Sequence, residues 1–384
     1  MIFPFDSSSV RASVALLGVT LLGGCGAASG LANLSAAPAQ QLDALIDEFA
    51  AKRLLSGNLH VVFADGSSYE RAVQLADDER SLPNHPHTLA LISSLSKNYT
   101  AAAILVLEEA GKLSVDDPVA RFFPEYPARH LQGRDGQPAT LHHLMSHTSG
   151  IPDAYEDTRI DRKLFKRPIE FADILNAIKA RPLETDPGSE FSYSNTGYIL
   201  LGEVVRRVSH LSFAEFADAK LFQPLSLRRT FVGGALDGSL PFALPYEMEK
   251  RRRVNYLRKH HIREMHITDV FTDGNIVATA GDVAAWARQL ARQRLLSRAS
   301  LDKMFHDYGE GYGYGWNVLD GADGRKIISH DGGWVGYSSH VMHSVESGAT
   351  VAYLLNQSMP EAEESRFKAR LKEVVFRDGS PIDD

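Results

Sequence analysis

Cysteine is nearly absent from this 384-residue chain, with Cys25 the only one. A single thiol excludes an intrachain disulfide framework, a cysteine-ligated zinc site and a Cys-x-x-Cys redox pair. A basic surplus is missing too. There are 41 Lys and Arg against 48 Asp and Glu, a net charge of −7, so no global positive field favours a nucleic-acid partner. The apolar run Ser13–Leu22 falls well short of the ~20 residues that a membrane-spanning helix needs. The sequence carries no P-loop, no Gly-x-Gly-x-x-Gly fingerprint and no Gly-x-Ser-x-Gly elbow. What remains is ordinary globular composition, 44% hydrophobic and 23% charged, which rules out a disordered chain, a collagen or a long coiled coil.

The N-terminal stretch reads as an address. Ser13–Leu22 (SVALLGVTLL) follows Arg11 and precedes Gly23 and Gly24, the grammar of a signal peptide, although the basic flank is a single Arg with Asp6 nearby. Leu22-Gly23-Gly24-Cys25 resembles the lipobox of bacterial lipoproteins, which implies a lipid thioether on Cys25; the other reading is an ordinary secretory signal. Ala28–Gln41 is small and polar and fits a tether. The expectation is a signal peptide over 1–24, a tether over 25–41, a tail over 376–384, and an exported chain. It would sit in the bacterial cell envelope, on the periplasmic side, held to the membrane by its lipid.

Between these ends the hydrophobic periods alternate. Leu42, Leu45, Ile46 and Phe49 have helical spacing. Residues 58–64 and 68–75 flank Asp65-Gly66 as a hairpin. Residues 101–110 form a helix with Gly111 as its C-cap, and Thr279 to Asp282 looks like a capping box. Strands return at 312–319, 326–330, 337–344 and 350–356, before a last helix marked by Phe367, Leu371, Val374 and Val375. Strands at both ends and helices between them predict an α/β (α+β) fold. One antiparallel sheet built from both termini is flanked by terminal helices, with a mostly helical domain inserted. The α/β part is placed at about 42–93 and 300–375 and the helical part at about 94–299, with the functional cleft between them.

Three short stretches carry chemistry. In Ser94-Leu95-Ser96-Lys97, residues three apart share a helix face. A serine hydroxyl becomes a nucleophile when a neighbouring base takes its proton, and a lysine serves if its surroundings favour the neutral amine. Ser-x-x-Lys also occurs at Ser300 and Ser365, which read as exposed helix starts; the bland reading of Ser94 itself is an N-cap. Tyr193-Ser194-Asn195 puts a phenol and an amide two apart, on one side of an extended segment. Its bland reading is Asn195 or Thr196 as a cap, with Tyr193 packing. In His330-Asp331-Gly332-Gly333, glycines let a substrate approach the backbone. The Gly333 N–H can complete an oxyanion hole with that of Ser94, and His330 can offer a donor or part of a positive charge to a substrate carboxylate. Otherwise this is a Gly-rich turn with a surface histidine.

Together the three resemble the serine β-lactamase and penicillin-binding protein family, in its class C and DD-peptidase-like branch. That family carries Ser-x-x-Lys, Tyr-x-Asn and Lys/His-x-Gly in this order. Leu141–Asp153 (LHHLMSHTSGIPD) resembles its His-Thr-Ser-Gly loop, and the likeness spans about residues 40–375. The resemblance implies serine acylation followed by hydrolysis, with no cofactor and no metal. It implies Ser94, Lys97 and Tyr193 as catalytic residues, and Asn195, His330 and Gly332 as substrate-binding ones. The expected partner is a small-molecule or peptide substrate, of which a peptidoglycan-derived one is an example. Neither Ser-Asp-Asn nor Lys-Thr-Gly is present, which argues against the class A branch. Histidine in the third motif ranks peptide or ester above β-lactam. Asp331 is expected to repel an anionic substrate. The basic stretch 250–263 (KRRRVNYLRKHHIR) is a solvated loop or, on the sharper reading, a rim attracting anions. A metal on His143 and His147 is disfavoured, and a non-catalytic envelope scaffold is the alternative function.

Overall fold

The computed structural model describes residues 37–157, 160, 169–233, 241–250, 252–262, 271–320 and 325–376. Cys25, the signal peptide, most of the tether and nearly all of the tail lie outside the described residues.

Helix α1 (Pro38–Ala51) buries Leu42, Leu45, Ile46 and Phe49, as their spacing predicts. Strands β1 (Gly57–Val62) and β2 (Ser68–Val73) form the hairpin, and Gly66 supplies the turn at φ +87°. Helices α2 (Ser96–Glu109), α3 (Asn195–Ser209) and α4 (Ala280–Ala291) follow. The chain ends on β3 (Asn317–Asp320), β4 (Lys326–Trp334), β5 (Tyr337–Ser344), β6 (Thr350–Leu355) and helix α5 (Glu361–Val375). The six strands make one antiparallel sheet in the order β3-β4-β5-β6-β1-β2. The two termini therefore meet at its centre, where Gly57 faces Leu355 and Val62 faces Thr350.

Both faces of the sheet are covered. Helices α1 and α5 pack on one, with the rings of Phe49 and Phe367 4.9 Å apart. Helix α4, which belongs to the 94–299 stretch in sequence, packs on β1, β5 and β6 from the other side. This is why β5 and β6 are buried along their whole length instead of alternating. Thr279 caps α4 by accepting from the Asp282 N–H. The reciprocal half of the predicted capping box is not made, because the Asp282 carboxylate accepts from the N–H of Arg229 and the hydroxyl of Thr230.

Two strand boundaries differ from expectation. The strand expected over 312–319 is reduced to Asn317–Asp320. Gly311 and Gly315 take φ of +70° and +75°, which breaks extended backbone. Gly315 is needed on a second count, since a Cβ there would stand 2.8 Å from the Lys97 carbonyl. The strand expected at 326–330 instead runs on to Trp334, carrying the His-Asp-Gly-Gly motif into the sheet.

Three short strands, Ala90–Leu91, Ile276–Ala278 and Phe231–Val232, lock the entry to α2. The Ile92 N–H donates to the Ile276 carbonyl (2.9 Å), and the Ile276 N–H donates to Ser96 Oγ (3.0 Å). The Thr100 hydroxyl donates to the Thr272 carbonyl (2.8 Å), and the Thr272 hydroxyl to the Tyr198 carbonyl (2.7 Å). Segment 272–278 is thereby stitched to α2, and Thr272 also to α3.

Candidate active site

Ser94 lies in the 3-10 turn Ser93–Leu95, just before α2. The turn is strained, because Ser93 takes φ +51°, a conformation that costs a non-glycine residue about 1–3 kcal/mol. Lys97, on the first turn of α2, is fully buried. Its Nζ stands 3.2 Å from Ser94 Oγ, 3.0 Å from Asn195 Oδ1 and 3.0 Å from the Asp273 carbonyl oxygen. The last two partners are acceptors with no hydrogen to give. A neutral amine that donates to both keeps its lone pair for the serine hydroxyl.

Tyr193 and Asn195 reach the same amine. The Tyr193 ring lies over Lys97 Nζ at 4.9 Å from its centroid, and Asn195 supplies the Oδ1 contact. The two do not share an extended segment, as the sequence implies. Ser194 is the N-cap of α3, accepting from the Gly197 N–H, and Asn195 is its first helical residue. Asp153 fixes that corner by accepting from the Asn195 N–H (2.7 Å) and Nδ2 (3.2 Å) and from the Thr196 hydroxyl (3.3 Å).

Strand β4 forms the opposite wall. A Cβ on Gly332 would lie 2.3 Å from the Ile92 carbonyl, 2.4 Å from Ser339 Oγ and 3.1 Å from the Ser94 nitrogen. Only glycine lets the strand rest against the nucleophile turn. Gly333 follows on the same strand, opposite Ser338.

His330 is 4% exposed. Its Nδ1 lies 2.7 Å from the Asp331 carbonyl, and its Nε2 2.9 Å from the Tyr312 hydroxyl. A carbonyl only accepts, so this network assigns the ring proton to Nδ1 and leaves Nε2 to accept from Tyr312. Burial first, and the charge of Lys97 second, push the imidazole down to about 4. The positive charge expected of His330 is therefore absent near neutral pH, and the donor next to it is the Tyr312 phenol. His147 backs this group. Its ring lies 4.3 Å from Tyr193 and 4.9 Å from Tyr312, and its Nδ1 accepts from the Ser194 N–H. Burial, then Lys97 and His330, hold it neutral.

Asp331 points elsewhere. Its carboxylate pairs with His340 Nδ1 (2.8 Å) and Lys368 Nζ (2.6 Å), tying α5 to the sheet. Neighbours on a strand face opposite ways, so with His330 turned to the cleft Asp331 is spent on the far face, and the repulsion expected of it does not arise. Within the basic stretch, Arg253 pairs with Asp78, Arg258 with Glu79, and Lys259 with Glu247 and Glu249, while Arg251 and Arg263 lie outside the described residues. At those three positions the charge is matched, as the solvated-loop reading expects. Ser300 is buried with its hydroxyl on Glu109, not exposed as expected, and Ser297 caps its helix. Among the described residues no cluster of three or more His, Cys, Asp or Glu could hold a metal ion.

The structure thus gathers Ser94, Lys97, Tyr193, Asn195 and Gly332 by direct contact, and joins His330 to them through Tyr312 and His147. Sequence reasoning passed over Asp153 and His147 as site residues although both lie in the quoted LHHLMSHTSGIPD, placed Tyr312 only at the start of a strand, and gave no hint of Asp273.

Comparison with known proteins places the chain among relatives of the same fold. The family model described as Beta-lactamase matches residues 42–374. The chain is 28% identical over 370 residues to penicillin-binding protein 4* of Bacillus subtilis (strain 168), covering 90% of this chain and 77% of that protein. It is 33% identical over 222 residues to esterase EstB of Burkholderia gladioli, covering 55% of each. Among solved structures, the octameric penicillin-binding protein homologue from Pyrococcus abyssi superimposes with a TM-score of 0.73 at 28% identity, covering 88% of this chain and 77% of that one. On the family match over residues 42–374 and the likeness of its overall fold, this chain belongs to the Beta-lactamase family of serine hydrolases.

Proposed function

We propose that the chain hydrolyses an amide or ester through an acyl-enzyme on Ser94. The observation that carries this is the Lys97 amine, held by two fixed acceptors with Ser94 Oγ as its third contact at 3.2 Å. Lys97 takes the hydroxyl proton as Ser94 Oγ bonds to the substrate carbonyl carbon. The N–H groups of Ser94 and Gly333 hold the oxyanion. The C–N or C–O bond breaks as Tyr193 delivers a proton to the leaving group and takes in its place the one Lys97 received from Ser94, and water then cleaves the acyl-enzyme. Asn195, Gly332 and the Tyr312–His330 pair line the substrate path. The contact geometry favours Lys97 as the first base, because Tyr193 meets it with its ring face. Histidine in the third motif ranks a D-amino-acid peptide or carboxylic ester above a β-lactam, and the 33% identical relative is named an esterase.

A fluorescent penicillin and a fluorophosphonate probe test the nucleophile. Labelling of the wild type that vanishes in Ser94→Ala supports it, and no labelling by either reagent favours a scaffold. Turnover of a D-Ala-D-Ala peptide, a short nitrophenyl ester and a chromogenic cephalosporin ranks the substrates. We also infer export and lipidation at Cys25, on the strength of the Leu-Gly-Gly-Cys quartet. Membrane-fraction incorporation of a palmitate analogue, lost in Cys25→Ser, is the expected result; equal incorporation in that variant refutes it.

A further inference from the structure

Asp273 is a titratable group that the proposed mechanism leaves unused. It is 6% exposed. Its backbone carbonyl accepts from Lys97 Nζ at 3.0 Å, yet its side-chain Oδ1 is buried with no hydrogen-bond partner. Buried carboxylate oxygens are ordinarily satisfied, so an unpaired one beside the reacting amine calls for an explanation. The charged and titratable groups that face it are Lys97 from α2, and Asp153 and Tyr155 from the loop before α3. Asp153 is already engaged with Asn195 and Thr196, and the Tyr155 hydroxyl feels the Asp273 carboxyl, which raises it, although the two close no regular hydrogen bond. Segment 272–278 cannot drift, because Thr272 and Ile276 tie it to α2 and α3.

We propose that Asp273 is a positioning residue that acts through Lys97: its carbonyl aims the amine at Ser94, and its carboxyl is the counter-charge for the ammonium formed when Lys97 takes the serine proton. This rests on Ser94 and Lys97 acting as stated above. The proton account balances. Before attack the Lys97 amine is neutral and the Asp273 carboxyl is ionised, so a single proton moves, from Ser94 Oγ to Lys97 Nζ. When Lys97 accepts the proton from Ser94, an ionised Asp273 offsets the new positive charge in a site that water does not screen. Burial raises the Asp273 carboxyl to about 7, with Lys97 opposing and Asp153 adding to the rise, so both charge states are accessible near neutrality.

The test is the pH dependence of fluorophosphonate labelling at Ser94 in the wild type and in Asp273→Asn, which keeps the shape and the carbonyl. Without the carboxylate the site carries one negative charge fewer, so the acid limb of the labelling rate should move to lower pH by about one unit. The plateau rate should fall about tenfold, because the ammonium loses its counter-charge. A variant that labels slowly with an unmoved limb has only a packing defect, and that result overturns the proposal. So does wild-type behaviour throughout, and in either case the Ser94 reading stands. A wild type that does not label at all overturns both. Should Asp273→Asn fail to fold, infrared difference spectra of the wild type and Ser94→Ala across pH ~7 give the second measurement. A protonated-carboxyl band lost near neutrality supports the proposal, and no such band refutes it.

Discussion

Gly332 is the residue on which the cleft turns. A Cβ there would lie 2.3 Å from the Ile92 carbonyl and 3.1 Å from the Ser94 nitrogen, both of them backbone atoms that no rotamer change can move. Gly332→Ala is expected to push β4 off the nucleophile turn. It should cost about 1–3 kcal/mol in stability and cut Ser94 labelling about a hundredfold or more, since small misplacements of reacting groups carry penalties of that size. Normal labelling with normal denaturant unfolding would show that the strand has room to spare. Ser94, Lys97 and the glycine pair were legible because each is a residue type with a specific chemical duty in a short pattern. Asp273 was not legible, since an aspartate in TDGN reads as a turn residue. His330 was legible as a site residue but not as a neutral one, because its protonation is set by burial and by Lys97.

Elements were most readable where periodicity was clean. Helix α1, the β1–β2 hairpin, β5, β6 and α5 all follow from apolar spacing, and their pairing closes the sheet through β1 and β6. The α1–α5 layer rests on Phe49, fully buried and 4.9 Å from Phe367. Phe49→Ala should lower unfolding free energy by about 3–5 kcal/mol. It should leave the pH profile of Ser94 labelling unchanged below the melting transition, because this layer lies behind the sheet. A chemical denaturation curve checks the first half, and a shift in the profile would contradict the second. The elements that sequence misjudged are β3 and β4. Glycine-forced φ values shortened one, and pairing with β5 lengthened the other. Asp331 changed role for the same reason, since inclusion in β4 sets its side chain on the α5 face.

Over the whole molecule, buried titratable groups set the response to acid. Burial holds His147 well below its usual range, brings His330 to about 4, and brings His343 to about 3. In the unfolded chain each takes a proton near pH ~6.5. Their contribution is therefore present above that pH and is lost as pH falls from ~6.5 toward the folded values. By pH ~5, His330 and His343 should each cost about 2 kcal/mol. Asp273 works in the opposite sense. With its carboxyl raised to about 7, ionisation above that pH opposes folding, so acidification relieves one unfavourable charge. Three imidazoles against one carboxyl leave a net loss. The melting temperature should fall between pH ~7 and pH ~5, and fall more steeply in Asp273→Asn. A melting temperature that rises on acidification would contradict this balance.

By itself the sequence determined the layered plan and named the candidate reacting groups, because apolar period and residue chemistry are local properties that the chain carries wherever it folds. Only the tertiary structure decided the charge on His330, the second use of Asp331, the pairing of Arg253, Arg258 and Lys259 with acids, and the place of Asp273 beside Lys97. Most of those depend on distance and desolvation between residues far apart in the chain, Asp78 with Arg253 at 175 positions and Lys97 with Asp273 at 176, and no local pattern encodes a field that exists only once the chain has closed on itself.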